Sequence, residues 1–215
     1  VDTTPPNTLI TGQPPDPSNS SSAGFSFIST EIGSTFECQM DGGGWSSCTS
    51  PKAYSGLADG PHTFMVRATD AAENTDQSPA SYTWTVDTTV PETSITGQPA
   101  NLSNSSTASF SFTSNEGGAT FECQMDNGGW SGCSSPMNYS GLSDGDHTFD
   151  VRATDAAWNT DSTPASFNWA ISTIIIDNIP PENTTGTNFI NSGASATNST
   201  SVTLSISAAD TVGVT

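Results

Sequence analysis

The sequence predicts an all-β chain: two antiparallel β-sandwiches in tandem, about seven strands each, followed by the start of an incomplete third unit. Three observations carry this. Residues 1–85 align with 86–170 without a gap, with roughly seven positions in ten identical, so a whole folding unit is duplicated. Within each copy the apolar residues recur with period two, never with the 3.6 of a helix. Turn residues such as Gly33, Asp41-Gly42-Gly43-Gly44 and Asp59-Gly60 cut the chain into short runs. The units are 1–86, 87–171 and 172–215.

Taken in order, the first strand surrounds Leu9 and Ile10. Leu9 becomes Ser94 in the second copy while Ile10 stays Ile95, so Ile10 is the inward residue. Ala23, Phe25 and Phe27 alternate with small polar residues, as do Phe36, Cys38 and Met40. His62, Phe64, Val66 and Ala68 form the next inward set. Met65 becomes Asp150, so that position faces water and its neighbours Phe64 and Val66 face the core. Tyr82, Trp84 and Val86 close the unit. A third start, Asp177-Asn178-Ile179-Pro180-Pro181-Glu182, restates Asp87–Glu92, and SVTLSISAAD at 201–210 reads as one alternating strand. Two strands cannot close a core, so this unit is incomplete as given.

Three Lys and Arg stand against 22 Asp and Glu, a formal charge of -19. Nucleic-acid binding needs cations on phosphates, and that is excluded. An anionic membrane surface would repel the chain, and no apolar run has membrane-spanning length or the pattern of a signal peptide, so membrane insertion is not expected. Opening on Val1 rather than Met suits a mature product or a fragment. Multivalent cations are the natural partners of so many carboxylates.

The phrase FECQMDGGGWSSC at Phe36–Cys48 returns as FECQMDNGGWSGC at Phe121–Cys133. Zinc knuckles and thioredoxin-type couples use closer cysteine pairs, and each unit holds only two cysteines. An antiparallel hairpin brings Cys38 opposite Cys48 and Cys123 opposite Cys133, so these are expected disulfides in an oxidising compartment. Trp45 and Trp130 follow the glycine turns and are expected to cover the disulfides; Trp84 and Trp169 read as core. His62 and His147 share one repeat position beside inward aromatics and read as packed, hydrogen-bonded residues. No nucleophile–base pair assembles around them, so no catalytic residue is assigned and no enzyme is expected. Arg67 and Arg152 project outward, as do Glu37 and Glu122, which suits cross-strand ion pairs.

GLADGPHTFMVRATDAAENTD, preceded by DTTPP and FECQMDGGGW, resembles the immunoglobulin-like (fibronectin III-like) repeats of very large bacterial and archaeal surface proteins. The resemblance covers both complete units. FINSGASATNSTSVTLSISAADTVGVT resembles the opening strands of a sister repeat. Such families imply tandem Ig-like sandwiches in extracellular adhesins, stalks and fibres, and many are appended to secreted enzymes.

In that fold the first strand starts beside the loop between the last two strands. Asp87 is therefore expected near Asp155 and Asp161, with Asp59 across the joint, as a candidate calcium site like those that stiffen related repeats. No other cofactor is required. Trp158 replaces Glu73 of the first copy, so folding does not demand it; an exposed indole there is a candidate glycan contact. Six Asn-X-Ser/Thr sequons, at Asn19, Asn101, Asn104, Asn138, Asn183 and Asn198, are close to what chance gives at this composition. The expectation is a non-catalytic extracellular rod from a long surface adhesin, stalk or fibre. Its partners would be neighbouring repeats, identical subunits, or surface glycans and proteins. Two alternatives stand beside it: a polymerising filament subunit whose strand near Val202–Ile206 is completed by a neighbour, and a glycan-binding accessory module of a secreted enzyme.

Overall fold

The computed structural model describes residues 1–173, and beyond them only the paired strands β16 (Phe189–Ile190) and β17 (Ala194–Ser195). The expected completion strand near Val202–Ile206 lies outside the described residues. Every regular element among the described residues is a strand. The chain separates into compact units Val1–Ile175 and Ile176–Thr215, and both sandwiches lie in the first.

The first sandwich runs β1 (Thr8–Gly12), β2 (Ala23–Ser29), β3 (Thr35–Met40), β4 (Ser46–Cys48), β5 (Lys52–Tyr54), β6 (Gly60–Thr69) and β7 (Ala80–Val86). One sheet orders β1-β2-β5 and the other β4-β3-β6-β7, all antiparallel. The second sandwich repeats this with β8 (Thr93–Gly97), β10 (Ala108–Ser114) and β13 (Met137–Tyr139) against β11 (Thr120–Met125), β12 (Ser131–Cys133), β14 (Gly145–Thr154) and β15 (Ala165–Ile171). A two-residue strand, β9 (Leu102–Ser103), adds in parallel to the free edge of β15; its counterpart in the first copy is a single bridge from Ser18 to Val86. These are Ig-like, fibronectin III-like sandwiches.

Alternation builds the core. Phe64 and Val66 are buried while Met65 sits on the outer face opposite Gln39. Phe25 stacks on Phe64 at 4.1 Å between ring centroids, and Tyr54, Tyr82 and Trp84 meet Phe25 edge-on. Phe110 and Phe149 repeat the stack at 4.0 Å. Ile10 packs against this core from its rim, while Leu9 points outward opposite Ile28. Cys38 is bonded to Cys48 and Cys123 to Cys133, each with a Cα–Cα distance of 5.8 Å, and no free cysteine remains. Each bond ties the edge strand of a hairpin to its neighbour.

Trp45 lies over the Arg67 guanidinium at 4.4 Å, and Trp130 over Arg152 at the same distance. Cys38 points into the core, whereas Arg67 and its cross-strand partner Glu37 occupy the opposite face, so Trp45 covers the ion pair rather than the disulfide. A guanidinium gains from the negative face of an indole, which an S–S bond cannot match. The carboxylate of Glu37 receives Arg67 at 2.8 Å, and Glu122 receives Arg152 at 2.8 Å.

Candidate functional site: the interdomain joint

The linker between the sandwiches is Asp87-Thr88-Thr89-Val90-Pro91, too short for a free hinge. Val86 ends β7 buried in the first core, and Pro91 is buried just before β8. Pro91 fixes its own φ and keeps Val90 extended. Between these anchors the linker is gripped from both sides.

From the first sandwich, Asp59 reaches over. Its Oδ1 accepts the Thr88 amide at 3.0 Å and the Thr88 hydroxyl at 2.8 Å, and its Oδ2 accepts the Thr89 hydroxyl at 3.0 Å. The Thr88 bonds, then that of Thr89, hold the Asp59 carboxyl below its ordinary pKa. From the second sandwich, Asn159 Nδ2 donates to the Asp87 carbonyl at 2.8 Å and to Asp155 Oδ2 at 2.8 Å. Asp155 in turn accepts the Asn159 amide at 2.9 Å, which closes the loop that presents the amide group. The same devices recur one repeat earlier and later. Asn74 donates to the Asp2 carbonyl at 3.2 Å, and the Asp144 carboxylate accepts the Thr173 amide and hydroxyl.

Of the four carboxylates expected at a cation site, the structure brings only Asp87 and Asp155 together. Their companion is Glu116, from the turn after β10, with ligand oxygens of the three within 4.8 Å of one another. Partial desolvation, then the charges of Asp87 and Asp155, push the Glu116 carboxyl above its ordinary pKa. Asp161 is elsewhere. It is 3% exposed, and both of its oxygens are taken: Oδ2 by the Thr93 amide at 3.0 Å, Oδ1 by the Thr163 amide and hydroxyl. These bonds overcome the opposing effect of burial and lower its pKa, so Asp161 fastens β8 to the β14–β15 loop. Asp59 is likewise committed to the threonines. Glu116 was missed because it lies on a turn outside any strand pattern. Its signal was present in the repeat, since Glu31 occupies the same position and joins Asp2 and Asp70 in a matching trio. Three carboxylates supply part of the six to eight oxygens calcium takes, so water or backbone would have to supply the rest.

Trp158 sits in the loop closed by Asp155 and Asn159. It is 78% exposed and its φ is 72°, a left-handed conformation that bulky side chains rarely adopt. Glu73 holds the same conformation in the first copy, with φ 68°. The loop therefore imposes the backbone, and the second copy alone puts an indole on it.

The histidines offer no free base. His62 Nδ1 lies 2.8 Å from Asp41 Oδ2 and Nε2 lies 2.8 Å from the Ala58 carbonyl; His147 repeats this with Asp126 and Ser143.

No family model matches the chain, and no curated protein matches it. Among solved structures, the fibronectin(III)-like modules of Clostridium thermocellum CbhA superpose with a TM-score of 0.46 at 17% identity, covering 77% of this chain and 94% of that one. Murine CEACAM1b gives 0.43 at 10% identity, over 77% of this chain and 100% of its own. A 1.5-MDa bacterial ice-binding adhesin gives 0.40 at 12% identity, over 80% and 67%. At these identities the likeness says nothing of role.

Proposed function

We propose that the chain is a non-catalytic structural module of an extracellular protein, a series of Ig-like repeats that spaces other parts of a surface adhesin, stalk or fibre. The observation that carries this is the joint. A linker of five residues is held by Asp59 on one side and Asn159 on the other, with both cores anchoring its ends. A spacer depends on a fixed connection between its domains, and the fastening recurs on either side of the pair, from Asn74 to Asp2 and from Asp144 to Thr173. Two disulfides support an oxidising, extracellular setting. The occupied ring nitrogens of both histidines support a structural role rather than acid–base catalysis. The trio of Asp87, Glu116 and Asp155 is the place for calcium in this reading.

The test is whether the sandwiches move together. Nuclear relaxation of the full chain should give both sandwiches a common rotational correlation time. Asp59→Ala combined with Asn159→Ala should separate the two values while each core stays folded. Independent tumbling of the unsubstituted sandwiches would remove the basis of the proposal.

A second reading, glycan contact, rests on Trp158. A solvated indole on a strained loop is spared by the packing of its own domain, and stacking on a sugar ring would use it. Binding to a glycan array that vanishes in Trp158→Ala, with unchanged melting, would favour this reading; no binding by the unsubstituted chain would end it.

A further inference from the structure

Asp59 grips the linker, and the residue before it is itself gripped. The Ala58 carbonyl accepts from His62 Nε2, while Nδ1 of the same ring donates to Asp41 Oδ2, each at 2.8 Å. A carbonyl oxygen has no proton to give, and an ionised carboxylate has none either. Both contacts are hydrogen bonds at once only when both ring nitrogens carry hydrogen, so the geometry fits an imidazolium. It lies against the Trp84 indole at 5.5 Å between centroids, a surface that favours a cation. The second sandwich repeats the arrangement. His147 donates to Ser143 and Asp126 and lies 5.3 Å from Trp169. Ser143 directly precedes Asp144, which holds Thr173.

We propose that His62 is a proton-dependent latch on the joint: the charged ring fixes the Ala58 carbonyl, and with it the loop from which Asp59 holds Thr88 and Thr89. Loss of one proton leaves a single N–H for two oxygens. It stays on the nitrogen facing Asp41, because an ionised carboxylate is the stronger acceptor. The Nε2 lone pair then faces the Ala58 carbonyl and repels it, and the loop carrying Asp59 loosens. His147 acts in the same way on Asp144 and Thr173.

The charged and titrating groups around the ring favour its proton. Asp41, from the β3–β4 turn, also accepts the Thr63 amide, and its own titrating neighbour is Tyr54 of β5, which feels its charge. β7 presents the uncharged Trp84. Asp126 and, on its own strand, Asp146 act on His147, and Tyr139 feels the charge of Asp126. The bond to Ala58 first, then that to Asp41, raises the pKa of His62 above 6.5, with burial opposing. The latch is therefore closed below pH 6.5 and opens as pH rises through the higher folded-state value.

The experiment uses the full chain, with ring ¹⁵N shifts to follow each histidine and amide hydrogen exchange to follow each grip. Both His62 nitrogens should be protonated at pH 6. Protection of the Thr88 amide, corrected for intrinsic exchange, should fall about tenfold as the ring loses its proton, the scale of a lost hydrogen bond to a charged group. His62→Gln should flatten that dependence at Thr88 and leave the dependence of Thr173, which follows His147. Core amides of β6 report global stability and should fall less than Thr88. A neutral ring at pH 6, a flat Thr88 profile, or a Thr88 loss that merely parallels the β6 core would each overturn the latch.

Discussion

Breaking the Cys38–Cys48 bond should cost the first sandwich a defined amount. The cysteines are 10 positions apart, so the bond closes a loop of eleven residues. In the chain-entropy account such a loop removes freedom from the unfolded chain worth about 2.8 kcal/mol at 25 °C. For a domain of this size each kcal/mol moves the midpoint by roughly 4–8 °C, so the shift should be about 11–22 °C. The second loop has the same length, so Cys123–Cys133 should be worth the same. Scanning calorimetry of the full chain with Cys38→Ala and Cys48→Ala should split the heat absorption, with the second sandwich melting near its former temperature. Reduction with a phosphine lowers both sandwiches together and keeps the sulfur atoms. Its difference from the alanine pair isolates the packing of the buried Cys38 side chain, about 1 kcal/mol. A shift under about 3 °C for either treatment would show that the unfolded hairpin is already restricted without the bond, and the loop-entropy reasoning would fail.

Phe25→Ala should destabilise the first sandwich by about 3–5 kcal/mol and leave the second unaffected, since Phe25 is the centre of the aromatic stack; a loss below about 1 kcal/mol by denaturant titration would contradict that centrality. Acid should remove a contribution from Asp76 and Asp161, whose carboxyls are held below 3.8 in the folded chain by amide and hydroxyl donors. That contribution is complete above pH 3.8 and disappears as pH falls through the lower folded values, so Asp161→Asn should flatten the acid limb of the melting profile, and an unchanged limb would contradict the assignment. Millimolar calcium should raise the melting midpoint by selective binding to the folded joint, and Glu116→Gln should reduce the rise more than Asp161→Asn does. No shift in the unsubstituted chain would retire calcium from the joint.

Strand register was legible because the two copies act as a control on each other. Met65 against Asp150 told which face is wet, and Leu9 against Ser94 did the same for β1. The disulfides were legible because a hairpin with a glycine turn leaves the cysteines few other partners. Asp161 was misassigned because a place in the loop cluster does not set where a carboxylate turns: its oxygens go to Thr93 and Thr163 and do not join the trio of Asp87, Glu116 and Asp155. Trp45 was misassigned because the turn after Asp41 sets which face the indole reaches, and alternation does not extend through a turn. The grip of Asp59 on Thr88 and Thr89 had no periodic signature at all. It joins residues 29 and 30 positions apart through irregular backbone, where sequence pattern gives no register.

The strands β3 and β11 share the segment TFECQM, residue for residue. During folding each is therefore an acceptable partner for the other copy's β6 or β14, and exchange between adjacent like domains is a characteristic error of repeat chains. The cysteine spacing limits the damage. Oxidation within a hairpin joins neighbours along the chain, so it can be completed before the distant strands meet, and a hairpin already closed must enter or leave a sandwich as one piece. A covalent bond placed for the finished domain thus also keeps two near-twins from trading parts while they are being made.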